Sequence, residues 1–290
     1  MERFAFRAGY DCMKIACVHN ADIRNNGTAT YCLRALKEID GVEAFHVRSP
    51  SDKVPKADLY LCVDDGRDDI DWLPPRPRVF WAVDTHLGYG YRVGKAKKFD
   101  KIYVAQRNAV EDFKADGVEA SWLPLACSPG AHITKREFLE TRPGISTQRL
   151  EREADVAFVG FMQDPEKHSG LMNRVDFLDR FQKAVPKTWI TTGAFFEDMS
   201  LRYVKSSLGL NLSVSKDLNM RVFEVMSMGV PLLTERDAVG MEDLFSEGTH
   251  YLGYSGVEEA IDQALKYTDS EYESEAKRIG GNGYDSVRKH

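Results

Sequence analysis

Short apolar runs alternate with longer amphipathic stretches along most of this chain. Met13-Lys14-Ile15-Ala16-Cys17-Val18 reads as a strand. A helix is predicted over 28–39, with Tyr31, Leu33, Ala35, Leu36 and Ile39 as its apolar face. Strands are predicted over 42–47, 59–63, 79–83 and 101–105, then a helix over 108–116 and a strand over 120–123. Short buried strands alternating with helices imply a parallel sheet covered on both faces.

The periodicity fades over 128–153, where Pro129, Gly130, Pro143 and Gly144 sit among many charges. This segment reads as an interdomain connection with a helical turn near 135–140. A second alternation follows, with strands over 155–159, 188–192, 208–212 and 230–234. Helices are predicted over 171–184, 197–206 and 218–228, and Gly229 and Pro231 punctuate the last helix and strand. Terminal helices are expected over 257–267 and 269–279, packing back on the first domain. The resulting division is 1–127, with 1–12 as an extension, then the connection 128–153, then 154–290. Two α/β domains in series are the simplest architecture. A ligand is expected outside the carboxyl ends of their strands, in a central cleft.

The 290 residues suffice for two cores, and 43% hydrophobic with 29% charged residues is globular composition. A net charge of -6 argues against a nucleic-acid-reading domain, without excluding a local basic cleft. No apolar run reaches the roughly 20 residues that span a bilayer. The first residues lack the pattern of a secretory signal, so a cytoplasmic protein is expected. Five cysteines (Cys12, Cys17, Cys32, Cys62, Cys127) include no C-x-x-C pair and read as reduced, mostly buried thiols. Zinc-ligand spacing is missing.

The chemistry concentrates in 211–234. A strand leads through a polar loop into a helix, and Ser215, Asp217 and Asn219 are candidate N-caps. The open N–H groups of the first turn, at Asn219, Met220 and Arg221, favour an anion, as does the helix dipole. Arg221 adds a fixed positive charge suited to phosphate. Glu224, three residues on, shares its face. A carboxylate beside a phosphate site makes sense as an acceptor for ribose hydroxyls; the alternative is a surface Arg–Glu pair. Val222, Phe223 and Met226 would face the core.

The run Arg221-Val222-Phe223-Glu224-Val225-Met226-Ser227-Met228-Gly229-Val230-Pro231 resembles the sugar-nucleotide segment of retaining GT-B glycosyltransferases, most of all their CgeB-like, spore-protein branch. Asp155-Val156-Ala157-Phe158-Val159-Gly160-Phe161 and Trp122-Leu123-Pro124-Leu125-Ala126-Cys127 are similar to two further family segments. The resemblance implies a GT-B fold: two Rossmann-like domains with parallel sheets facing a central cleft. It implies transfer from a nucleoside-diphosphate sugar, UDP-sugar favoured, to a hydroxyl acceptor, retaining and without a metal or other cofactor. It puts Glu224 on the donor ribose and Arg221 by the diphosphate. A second Glu often stands eight residues before this one in the family; here that position is Lys216. Gly160 would end the first donor-domain strand, one of Lys167, His168 and Arg174 would approach the diphosphate, and Thr192 with Gly193 would lie at the nucleobase pocket.

In the first domain, Asn26, Gly27 and Thr28 open a helix after the first strand. Gly27 permits close backbone approach to a ligand, or simply a tight turn. Asp84 and His86 follow a strand end, where they could orient an acceptor hydroxyl or move a proton. The structural alternatives are a helix N-cap for Asp84 and a hydrogen-bonded histidine. Arg107 and Asn108 are further cleft candidates. Neither a dinucleotide G-x-G-x-x-G loop nor a P-loop occurs. Competing functions on this scaffold are a sugar-nucleotide epimerase and a non-catalytic nucleotide-sugar binder. The acceptor could be a glycan, a protein, a small molecule or a modified DNA base.

Overall fold

The computed structural model describes residues 12–19, 27–48, 54, 56–64, 71, 73–74, 77–162, 169–213 and 215–288. The chain divides into two compact units, Met1–Pro124 and Leu125–His290.

The first unit carries strands β1 (Met13–Val18), β2 (Val42–Val47), β3 (Leu59–Val63), β4 (Arg78–Ala82), β5 (Lys101–Val104) and β6 (Ala120–Trp122). They form one parallel sheet in the order β2-β1-β3-β4-β5-β6. Its helices are α1 (Thr28–Lys37), α2 (Tyr89–Ala96) and α3 (Ala109–Ala115). Ala16, Val18, Phe80, Ala82, Val104 and Phe113 anchor its core. Helix α1 stops two residues short of the expected end, and Gly41, at φ 78, turns the chain into β2. The expected apolar face of α1 is corrected accordingly: Ala29 is buried, whereas Ala35 and Ile39 are exposed. Helix α2 escaped the sequence reading because Gly90 and Gly94 lower its intrinsic propensity. Burial of Val93 and Ala96 compensates.

The second unit begins with α4 (Lys135–Thr141) and a 3-10 turn, Thr147–Leu150. Both lie in the stretch expected to be a connection, yet Phe138 and Leu150 are buried. A capping box closes the start of α4: Thr134 Oγ1 accepts from the Glu137 N–H, and Glu137 accepts from the Thr134 N–H. Strands β7 (Ala154–Val159), β8 (Thr188–Thr191), β9 (Ser206–Leu210), β10 (Leu232–Glu235) and β11 (Leu252–Tyr254) follow. They form a parallel sheet in the order β11-β10-β9-β7-β8. The helices are α5 (Ser169–Ala184), α6 (Phe196–Val204), α7 (Met220–Ser227), α8 (Met241–Leu244), α9 (Val257–Thr268) and α10 (Glu273–Arg288).

Helix α10 starts later and runs further than expected. Gly280, Gly281 and Gly283 read locally as stop signals, but two of them are contact points. A Cβ at Gly280 would lie 2.7 Å from the Gly229 carbonyl oxygen, and one at Gly283 would lie 2.9 Å from that of His250. Small residues let the helix sit close enough to bury Ile279 and Ala276. No helix among the described residues is long and apolar enough to cross a membrane.

Candidate functional site

In the second unit the strand order reverses around β7: β8 lies on one side and β9 on the other. A doubly wound sheet leaves a crevice outside the carboxyl ends of the two strands at such a switch point, because their following connections leave in opposite directions. Here those ends are Gly160 and Phe161 after β7, and Leu212 and Ser213 after β9. Gly160 is required by close packing, since a Cβ there would lie 2.5 Å from the ring of Phe158.

One buried cation ties both strand ends together. Arg174 of α5 donates from Nη1 to the Phe161 carbonyl at 3.0 Å and from Nη2 to the Leu212 carbonyl at 2.6 Å. Its Nε is buried without a hydrogen-bond partner among the described residues. Burial pushes the guanidinium below its ordinary pKa, opposed by the field of Glu235 and Asp217. Arg174 thus sets the shape of the crevice floor and adds positive potential beneath it. Lys167 and His168 lie outside the described residues.

The loop from β9 delivers the chain to α7. Asn219 occupies the N-cap position with extended backbone (φ -84, ψ 169), but its side chain makes no capping hydrogen bond. The expected side-chain cap is therefore absent. Met220 and Arg221 form the first turn, and both are half-buried. An uncapped N-terminus leaves its N–H groups for another acceptor. Lys216 adopts a left-handed backbone (φ 52), is exposed, and pairs with Asp237. Glu235, at the end of β10, faces the loop from inside: its Oε2 accepts from the Ser213 N–H at 2.7 Å. Burial raises its pKa, and the Ser213 bonds oppose that rise.

Glu224 is not part of a surface pair. It is 5% exposed. Its Oε2 accepts from Arg221 Nη1 at 2.5 Å, and its Oε1 lies 3.3 Å from Nε2 of His132. Burial alone would raise its pKa, but Arg221 and His132 outweigh burial and hold it below the ordinary carboxylate value. Glu224 is therefore an ionised acceptor in a largely dry setting. Arg221 also touches Met199 Sδ and lies over the Tyr203 ring at 5.8 Å. Arg221 remains 19% exposed at its side chain. Val222, Phe223 and Met226 are buried, as are Val225 and Ser227, so the helix is clasped nearly all round.

Strand β8 ends at Thr191, one residue short of the expected end, and Thr192 and Gly193 follow it, with Gly193 at φ 71. Both are exposed and line a cavity of about 370 Å³ with Trp189, Thr191, Arg202 and Lys205. The Arg202 guanidinium lies 5.4 Å from the centre of a Trp189 ring.

In the first unit Gly27 precedes α1 as its N-cap residue, and Thr28 begins the helix; Asn26 lies outside the described residues. Asp84 is not a helix N-cap. It sits in a left-handed turn (φ 53) whose carbonyl accepts from the Leu87 N–H at 2.8 Å, and Gly88 precedes α2 instead. His86 is exposed on that turn. Buried Thr85 anchors the turn through its N–H and hydroxyl, both donating to Gln106 Oε1. Arg107 lies over the Trp122 ring at 5.4 Å, and Asn108 precedes α3 without a side-chain cap. The buried Asp64, at the end of β3, pairs with Arg92 of α2.

His132 and Glu235 were missed by sequence reasoning. His132 lies in the stretch without periodicity, and Glu235 ends an apolar strand, so neither carries a local signal.

A family model described as glycosyl transferase-like matches residues 187–290. No curated protein matches the chain significantly. Among solved structures, Anabaena HepE in complex with UDP superimposes with a TM-score of 0.62 at 12% identity, covering 96% of this chain and 95% of that one. An alpha-glucosyltransferase in complex with UDP-glucose and DNA containing an abasic site gives 0.58 at 11%, covering 96% and 95%. Sucrose-phosphate synthase from Thermosynechococcus elongatus gives 0.57 at 8%, covering 96% and 94%. The chain has the GT-B fold.

Proposed function

We propose that this protein is a glycosyltransferase that moves a sugar from a nucleoside-diphosphate donor, UDP-sugar by preference, to a hydroxyl acceptor. One observation carries the reading. The helix that follows β9, α7, begins without a side-chain cap and carries Arg221 bonded to a buried Glu224 held below its ordinary pKa. The matched glycosyl transferase-like segment contains that helix, and two of the structural neighbours are complexes with UDP or UDP-glucose.

In this reading the diphosphate lies against the N–H groups of the first turn and the Arg221 guanidinium, over a floor held by Arg174. Glu224 accepts the ribose hydroxyls. The cavity at Thr192 and Gly193 receives the base, with Trp189 at its wall. Fixed N–H dipoles and guanidinium charge stabilise the leaving diphosphate, which is the electrostatic task a metal performs in other sites. The bond from the sugar's anomeric carbon to the diphosphate oxygen breaks, and a bond to the acceptor oxygen forms on the same face. The acceptor proton passes to the departing phosphate oxygen. The start of α1 at Gly27 and Thr28, and the Asp84–His86 turn after β4, would serve the acceptor side.

Thermal melting with UDP and a panel of other nucleoside diphosphates tests the donor site. A ligand at 100 times its Kd stabilises by about 2.7 kcal/mol. Stabilisation by UDP in the wild type, and its loss in Arg221→Ala, is the expected result. No shift with any nucleotide would refute the donor reading, and an unchanged transfer rate in Arg221→Ala would refute the role of that residue.

A further inference from the structure

His132 lies in a segment that the donor reading does not use, and it is 0% exposed. Its Nδ1 accepts from the Ser128 N–H at 3.0 Å. In the neutral ring the proton therefore sits on Nε2, the nitrogen 3.3 Å from Glu224 Oε1. The ring is not free to turn away. The His132 carbonyl accepts from Ser227 Oγ at 3.0 Å and from Arg288 Nη2 at 3.0 Å, so α7 and α10 both grip its backbone. The two oxygens of Glu224 thus face different partners: Arg221 Nη1 donates to Oε2, and His132 Nε2 lies 3.3 Å from Oε1, in ion-pair contact but outside hydrogen-bond geometry.

We propose that His132 is a positioning residue for the donor ribose: its Nε2–H aims the Glu224 carboxylate and holds it ready before a nucleotide arrives. This rests on the reading of Glu224 as the ribose acceptor. A carboxylate offers about four lone-pair sites. With Arg221 bonded to one oxygen and His132 facing the other, each oxygen retains acceptor capacity for one of two vicinal hydroxyls. Arg221 alone would fix only one oxygen and leave the carboxylate plane free to rotate. The second contact, from a different segment of the chain, removes that freedom, and preorganisation of this kind lowers the ordering cost of binding.

The charged and titratable groups facing Glu224 are Arg221 from its own helix, His132 from the loop before α4, and Tyr203 from α6. Cys127 lies within reach of its field, and Arg288 of α10 lies beside that thiol. Burial favours the neutral acid, whereas Arg221 and then His132 favour the carboxylate. Removing the His132 donor therefore raises the pH at which Glu224 takes up a proton. Ribose binding that needs the carboxylate should then fail at a higher pH than in the wild type.

Two variants separate positioning from packing. His132→Phe keeps the ring and removes the donor; His132→Gln restores an amide N–H near Nε2. The readouts are the Glu224 carboxyl titration by carbon NMR without ligand, and the affinities for UDP and 2′-deoxy-UDP by calorimetry over roughly pH 5 to 8. In His132→Phe the Glu224 midpoint should rise, and the preference for UDP over its deoxy form should fall about tenfold near neutral pH, the scale of one hydrogen bond to a charged group. His132→Gln should restore most of both. An unshifted Glu224 titration in His132→Phe overturns the positioning role whatever the binding result. No UDP binding by the wild type, with the titration shifted as expected, refutes the donor reading instead. Should His132→Phe not fold, a wild-type Glu224 midpoint at or above the ordinary carboxylate range would overturn the proposal, as would a His132→Gln variant with no preference for UDP.

Discussion

Gly209 controls how near α7 stands to its sheet, and that distance can be tested without knowing any ligand. It pairs with Ala157 of β7 and Leu232 of β10, in the centre of the sheet. A Cβ there would lie 2.5 Å from Val225 Cγ1 and 3.1 Å from two ring carbons of Tyr203. Ordinary carbon contacts are about 3.5–4.0 Å, so Gly209→Ala drives a methyl roughly 1 Å into Val225. Neither neighbour yields readily: Val225 is on a helix clasped by buried residues, and the Tyr203 hydroxyl accepts from the Val159 N–H at 3.1 Å. Overpacking of this kind costs about 1–3 kcal/mol. The backbone is not left-handed at this site, so reduced chain entropy returns about 0.4–1 kcal/mol. A net loss of about 1–2 kcal/mol is expected, or about 2–8 °C for a unit of this size. Val225→Ala alone should cost about 1–3 kcal/mol through its cavity. The double variant should be little worse than Val225→Ala, because the added methyl occupies the vacated space. Urea unfolding of the four proteins measures the cycle. A coupling of at least about 1 kcal/mol toward rescue is expected; simple additivity would refute the claim that Gly209 serves the approach of α7.

Glu224→Gln should destabilise the protein by about 2–3 kcal/mol at neutral pH, below the full cost of a broken buried pair because Arg221 keeps some solvent. The folded-state pKa of Glu224 is lowered, so its stabilisation is complete above the ordinary 4.5 and is lost as pH falls through the lower folded value. Urea midpoints followed into acid should therefore converge for wild type and variant. Arg174→Met removes the donor to the Phe161 and Leu212 carbonyls, and relief from burying a charge offsets part of that loss. A net cost of about 1–3 kcal/mol and a smaller UDP-induced melting shift are expected by calorimetry. Arg236 joins Glu247, Glu259 and the Gly253 carbonyl. These groups are a third exposed or more, so Arg236→Met should cost only about 1 kcal/mol and less in high salt, read from melts at two ionic strengths.

The alternation of strands and helices was readable because each buried strand is a short apolar run and each helix shows one sided periodicity. Elements whose sequence contradicts local propensity were not readable. The glycines of α2 and α10 look like breakers, yet Gly280 and Gly283 of α10 stand where a Cβ would come within 3 Å of backbone from another segment. The 128–153 stretch looks like a linker because its helix is only two turns long. Tertiary bonds reveal its place: Ser200 Oγ donates to the Ala131 carbonyl, and Ser227 Oγ to that of His132.

The site divides in the same way. Arg221 and Glu224 are three residues apart, so helical spacing alone placed them on one face. What spacing could not convey is which pair partner is buried, and that decides the chemistry. A surface Arg–Glu pair is worth little and binds nothing in particular. A carboxylate that is 5% exposed and still held below its ordinary pKa is an acceptor kept ready, and it needs positive partners to offset its burial. The second group that faces it, 3.3 Å from Oε1, comes from another segment. The fold supplies it from His132, in the stretch with the weakest pattern. Lys216, exposed on the loop, instead pairs with Asp237. The half-buried carboxylate that bonds the loop at Ser213 is Glu235, from the following strand. Charge at this crevice is therefore set by strand order as much as by the loop, and a substitution in the loop need not alter the field that a ligand meets.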